Sequence, residues 1–199
     1  VKVDVSYNFM KQHIDRTEAK DIIANNEVKN LPNESKIQIL KENYWWFNEK
    51  DTINESIEEG TYPKISDNFI ELIHNTPNPI LTKEAEILLV DYLTLKMKFA
   101  TNLYLQTKID IINYNTKNYV IGEDEIAGLC PCCENYSIGY AEDGLWEICP
   151  VCFWANGGDG PNHMTLEKAK SNFLKFGAID EKFLKYINKE AKVKYKKKL

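Results

Sequence analysis

Four cysteines, Cys130, Cys133, Cys149 and Cys152, form two Cys-x-x-Cys pairs with fifteen residues between them. Within a pair the spacing lets both sulfurs converge across one turn, and two pairs supply the four corners of a tetrahedron. Proline holds the second position of each pair, at Pro131 and Pro150. Its fixed φ pre-bends the chain and lowers the entropy lost when the sulfurs gather on an ion. The spacing predicts a zinc ribbon: two tight knuckles, each on a short hairpin, clamped by one structural Zn2+ on Cys130, Cys133, Cys149 and Cys152. A fifth cysteine, Cys132, is the alternative to Cys133. Repetition of the two-residue spacing in the second pair favours Cys133 and leaves Cys132 as a small spare thiol. The odd cysteine count and the symmetry of the pairs argue against disulfides, and two matched pairs do not suit a redox dithiol.

At 199 residues the chain is long enough for one full core and a satellite domain. No apolar run approaches the roughly 20 residues that span a bilayer, which predicts no membrane partner. The opening Val1-Lys2-Val3-Asp4 lacks the apolar stretch of a leader. With thiols expected to be reduced, this predicts a cytoplasmic protein. Charge is unevenly placed: residues 1–129 carry 14 Lys+Arg against 21 Asp+Glu, and residues 130–199 carry 11 against 9. An acidic body disfavours general nucleic-acid binding and suits a basic partner.

Periodicity divides the chain into a helical acidic domain, 1–122, a four-cysteine domain, 123–180, and a basic tail, 181–199. In the first, Ile37, Leu40, Tyr44 and Phe47 recur at helical spacing after Pro32, and the helix ends in the aromatic cluster Tyr44-Trp45-Trp46-Phe47. A short helix is expected after Ser66. Thr82 is placed to cap a long helix running to about Leu105, with Glu84 and Glu86 in its first turn, where the dipole favours anions. Val1, Val3 and Val5 alternate like a strand, and Glu18 to Ile23 looks helical. Tyr119-Val120-Ile121 reads as a strand and Gly122 as the turn at the boundary. Between the knuckles, Tyr136, Ile138 and Tyr140, then Leu145, Trp146 and Ile148, predict a β-hairpin with cysteines at its open end. Residues 156–161 read as a flexible Gly-rich connection, Thr165 as the cap of a final helix and Gly177 as its stop. The tail from Lys182 holds eight lysines and one glutamate, which suits a solvated terminus.

The run Cys130-Pro131-Cys132-Cys133, then Glu147-Ile148-Cys149-Pro150-Val151-Cys152-Phe153-Trp154, then Gly160-Pro161-Asn162 and the helix ending at Gly177, resembles the bacterial cysteine-rich CPCC family over residues 128–177. The resemblance implies a zinc-ribbon-like domain and an association with toxin–immunity neighbourhoods. Family members carry Gly after the first knuckle. Here Glu134 and Asn135 stand there, and Asn tolerates a left-handed backbone better than Glu does.

The chemistry expected is structural. Four thiolates leave a zinc ion no open position, so catalysis at the metal is not expected, and no residue is assigned a catalytic role. His163 could replace a ligand but suits a loop beside Thr165, while His13 and His74 form no HExxH pattern. The Gly-rich loop lacks the Gly-Lys-Ser/Thr ending of a phosphate-binding loop. The fold class expected is α+β, a helical N-terminal domain with a small zinc ribbon and a following helix. Its expected role is a non-enzymatic protein-interaction module, most concretely an immunity protein facing a basic toxin domain with Glu55, Glu58, Glu59 and an aromatic anchor such as Trp45 or Trp46. The alternative is a nucleic-acid-binding zinc ribbon using the lysine-rich tail.

Overall fold

A computed structural model of the chain describes residues 10–44 and 82–199. Trp45, Trp46 and Phe47, the helix expected after Ser66, and the alternating Val1, Val3 and Val5 lie outside the described residues. In chain order the elements are β1 (Met10–Asp15), α1 (Arg16–Asn30), α2 (Asn33–Tyr44), α3 (Lys83–Lys96), α4 (Asn102–Ile112), β2 (Thr116–Ile121), β3 (Gly128–Leu129), β4 (Asn135–Ile138), a 3-10 turn at Ala141–Gly144, α5 (Asp159–Asn162), α6 (Leu166–Phe176), a 3-10 turn at Glu181–Tyr186, α7 (Ala191–Lys194) and β5 (Lys196–Lys197). The expected mixture of helix and strand is present, with the four cysteines clustered and a helix after them. None of the described helices is long and apolar enough to cross a membrane.

The chain folds as two compact units. One is Thr17–Met97; the other runs from Lys98 to Leu199 and takes in Arg16 and the strand before it. The boundary expected at Gly122 falls inside the second of these. In the first unit, α1 buries Ala19, Ile23, Ala24 and Val28, a stripe at helical spacing, and α2 packs against α3. Thr82 caps α3 as expected, its hydroxyl accepting from the Ala85 N–H at 3.3 Å.

The helix expected to continue to Leu105 instead stops at Lys96. Phe99 turns the backbone left-handed at φ 63, and Thr101 caps a new helix by accepting from the Tyr104 N–H at 3.2 Å. No proline or glycine marks the break, which is why an apolar stripe running straight through it read as one helix.

In the second unit β1 pairs with β2 in parallel, Met10 opposite Thr116 through Asp15 opposite Ile121. This strand at Met10–Asp15 was not anticipated. Helix α4 packs on β2, burying Tyr104, Leu105 and Ile109 on its inner side. Asn118, buried in β2, donates from its side chain to Asp110 at 2.9 Å and ties the strand to that helix. Arg16 is buried and donates to Asn102 at 2.6 Å, to Asp124 at 3.1 Å, to Glu125 and to the Ala100 carbonyl.

The ribbon itself is a three-stranded antiparallel sheet of order β3-β4-β5. The expected pairing of β4 with residues 145–148 does not form. Its neighbours are β3 and the lysine-bearing β5, with Asn135 opposite Lys197 and Tyr136 opposite Lys196. The tail expected to be a solvated terminus is instead folded, as the 3-10 turn Glu181–Tyr186, α7 and the two-residue strand β5. Lys196 and Lys197 pair through backbone groups while their side chains stay exposed, and Tyr195 just before them is buried. Sheet pairing asks nothing of the side chain, so composition alone conceals it. Helix α6 keeps the caps expected of it, with Thr165 accepting from the Lys168 N–H and Gly177 closing it at φ 88.

Candidate metal centre

Each cysteine pair closes its own miniature hairpin. Around the first, the Cys130 N–H donates to Asn135 O at 2.9 Å and the Glu134 N–H to Cys130 O at 3.0 Å. Around the second, the Cys149 N–H donates to Trp154 O at 2.8 Å and the Phe153 N–H to Cys149 O at 2.9 Å. The residue after each pair takes the left-handed backbone, Glu134 at φ 57 and Phe153 at φ 69. The site of the missing glycine is thus Glu134 itself rather than the more tolerant Asn135. An outer bridge completes each hairpin, β3 with β4 on one side and Ile148 with Ala155 on the other. These are the two knuckles expected, each on a short hairpin.

The knuckles bring the Sγ atoms of Cys130, Cys133, Cys149 and Cys152 within 4.8 Å of one another. Cys130 and Cys152 lie 3.6 Å apart, as do Cys133 and Cys149. A disulfide would hold its sulfurs at about 2.0 Å. Corners of a tetrahedron with metal–sulfur bonds of about 2.3 Å stand about 3.8 Å apart. The geometry therefore fits four thiolates around one ion, and all four residues are buried.

The electrostatics point the same way. Hydrogen bonds from Cys130 hold the Cys133 thiol well below its ordinary range and lower that of Cys149. The complementary bonds push Cys130 up, first through Cys133, and Cys152 up, first through Cys130. Four buried thiols crowded together cannot all ionise unaided, and a divalent cation is the partner that would let them. The Val151 N–H donates to Cys149 Sγ at 3.4 Å, and Ser137 Oγ lies 3.2 Å from the same sulfur. With Cys149 as thiolate, the Ser137 hydroxyl donates to it. Tyr195, buried beside this cluster, is pushed up to about 12, chiefly by burial and then by the charge of Cys149.

Cys132 is buried but does not belong to the set of four mutually close sulfurs. It occupies the place in the first knuckle that Val151 occupies in the second, and both side chains pack into the same apolar cluster with Ile138, Trp154, Ala169 and Ile179. His163 ends the short helix α5 at φ 53, is exposed, and stands apart from the sulfurs, as a loop residue would.

Sequence reasoning missed the polar residues that hold the knuckles. Buried Asn135 donates to the Cys133 carbonyl at 3.1 Å. Buried Asn162 accepts from the Ala155 N–H at 2.9 Å and donates to the carbonyls of Ala155 and Gly158 at 2.8 and 2.6 Å. The Gly-rich segment expected to be a flexible connection is thereby stapled to the second knuckle. The Gly160-Pro161-Asn162 run contained the signal, because Asn is the residue there with both a donor and an acceptor to offer backbone.

The family model described as Cysteine-rich CPCC matches residues 128–193. The CPCC segment so defined runs from β3 into α7 and contains both knuckles, the stapled loop and α6. No curated protein and no solved structure matches the chain.

Proposed function

We propose that the CPCC segment holds one Zn2+ on Cys130, Cys133, Cys149 and Cys152, and that the chain is a non-enzymatic, cytoplasmic protein-interaction module. In its most specific form it is an immunity protein that neutralises a basic toxin domain by covering it. The observation that carries the proposal is the convergence of four buried sulfurs within 4.8 Å. Four protein donors fill a tetrahedral ion, so the metal supplies cohesion to a short segment and takes no substrate. The formal net charge of −5 favours a basic partner. Glu55, Glu58 and Glu59, expected to face such a partner, lie outside the described residues.

Native mass spectrometry before and after chelation tests the first half. One zinc per chain, lost together with the fold of the ribbon, is expected; a metal-free chain with an intact ribbon overturns it. Co-purification with a basic toxin domain encoded beside the gene, at low and moderate salt, tests the second half. Recovery of nothing at either salt counts against the immunity role.

A second reading, a nucleic-acid-binding ribbon, draws on the exposed lysines of β5 and on Phe153, Phe183 and exposed Tyr186, whose rings stack with Lys182 and Lys185 over them. A mobility shift that weakens steeply with salt would put it first; no shift at low salt removes it.

A further inference from the structure

Between the knuckles, residues 140–148 leave four large apolar side chains in solvent: Tyr140, Leu145, Trp146 and Ile148 are 62, 53, 63 and 53% exposed. The backbone beneath them is firmly held. The Leu145 N–H donates to Glu142 O at 3.0 Å, the Trp146 N–H to Asn156 O at 3.3 Å and the Asn156 N–H to Glu147 O at 2.9 Å. Glu147 accepts from the Gly139 N–H at 2.6 Å, and the Asn156 side chain donates to the Gly144 carbonyl at 2.9 Å. Trp146 takes a left-handed backbone at φ 66, unusual for so bulky a residue. Its ring lies against Gly157 so closely that a Cβ there would come within 2.2 Å of ring atoms. A strained backbone and a glycine seat together fix an indole whose larger part faces solvent. Burial among the described residues explains neither feature.

The charge around the loop says what would cover it. No Lys or Arg occurs anywhere in residues 118–167, whereas Glu142, Asp143, Glu147 and Asp159 all fall within or close to the loop. Glu142 and Asp143 are exposed. A fixed tryptophan with aliphatic neighbours and an acidic rim complements a protein surface with an apolar socket ringed by Lys or Arg. Another exposed apolar stretch, Leu103, Ile111 and Val193, lines a cavity of about 320 Å³ whose charges, Lys108 and Glu190, already pair with each other at 2.7 Å.

We propose that the loop 140–148 is the docking surface for a basic protein partner, with Trp146 as its anchor and Glu142 and Asp143 steering the approach. The proposal rests on the protein-interaction reading above and gives it an address. Because the loop is held in place before binding, little ordering cost is incurred when it docks.

Random dodecapeptides displayed on phage, panned against the metal-loaded full-length chain, provide the probe. Selected peptides are expected to combine an aromatic or aliphatic residue with Lys or Arg. Trp146→Ala should weaken their binding at least tenfold. Glu142→Lys with Asp143→Lys should weaken it several-fold at low salt and less at high salt, while Leu174→Ala, on an 86% exposed residue of α6, leaves it unchanged. Native mass spectrometry confirms that each variant keeps its metal. Should Trp146→Ala release the metal, the charge-reversal pair, which alters only exposed side chains, decides the question. Peptides that bind all variants as tightly as the parent overturn this docking site and leave the interaction reading standing. Failure to enrich any peptide overturns both.

Discussion

The first knuckle ends on Glu134 and the second on Phe153, yet both residues take the same left-handed turn, at φ 57 and 69. Matched backbone bonds on the two sides show that spacing and proline dictate the turn, whatever side chain follows it. The side chains are then spent differently. Glu134 is exposed and contributes its carbonyl, which accepts from the Lys198 N–H at 2.9 Å and so fastens β5. Phe153 contributes its ring, stacked on Phe183 at 4.4 Å and on Tyr186 at 5.4 Å between centroids. One knuckle anchors by backbone and the other by packing. The inner positions differ as well, Cys132 on one side and Val151 on the other, and here the comparison recasts the fifth cysteine as a small apolar filler.

The largest expected effect treats the knuckles as equals. Cys130→Ser or Cys149→Ser should abolish stoichiometric metal binding and unfold the ribbon, seen by native mass spectrometry and loss of chemical-shift dispersion in that segment. Retention of one tight metal by either variant would break the four-thiolate site. Next, Ser137→Ala removes a hydroxyl that reaches from β4, in the first knuckle's hairpin, to the Cys149 sulfur of the second, and should weaken metal affinity about 10- to 100-fold in chelator competition.

The sharpest contrast is one substitution made on both sides. Glu134→Gly should stabilise the metal-loaded protein by about 1 kcal/mol, because it relieves a left-handed non-glycine residue. Phe153→Gly relieves the same backbone but removes a stacked ring, so it should destabilise by roughly 2 kcal/mol. Denaturant melts of the loaded protein check both, and equal signs would break the contrast between a knuckle anchored by backbone and one anchored by packing. Smallest of all, Cys132→Val should keep one metal per chain and shift stability by less than about 1.5 kcal/mol. Loss of metal there would return Cys132 to the ligand set.

How much of this was legible in the sequence followed the range of the cause. Knuckle spacing, the Thr82 and Thr165 caps and the Gly177 stop act over a few residues, and each stands where the residues announce it. β1 and β5 were hidden because their partners lie far along the chain and their side chains carry little apolar pattern. Trp146 was hidden differently: the apolar run of Leu145, Trp146 and Ile148 imitates a strand, and the left-handed backbone at Trp146 reveals a loop. The break after α3 left no mark, because Phe99 makes the turn that a glycine would have advertised.

Arg16 follows β1 as the first residue of α1, and its guanidinium bonds the carbonyl of Ala100. The chain thus quits this unit and rejoins it within the reach of one side chain, with Thr17–Met97 intervening in sequence. In kinetic terms, pairing β1 with β2 from an unfolded chain closes a loop of about a hundred residues, at an entropy that rises by about 0.6 kcal/mol with each doubling of length. A Thr17–Met97 unit that folds first shortens that loop to the gap between its own two ends. The order of assembly follows: local helices early, and the N-terminal strand among the last segments to dock, with its amides the late ones to gain protection in pulse-labelled hydrogen exchange.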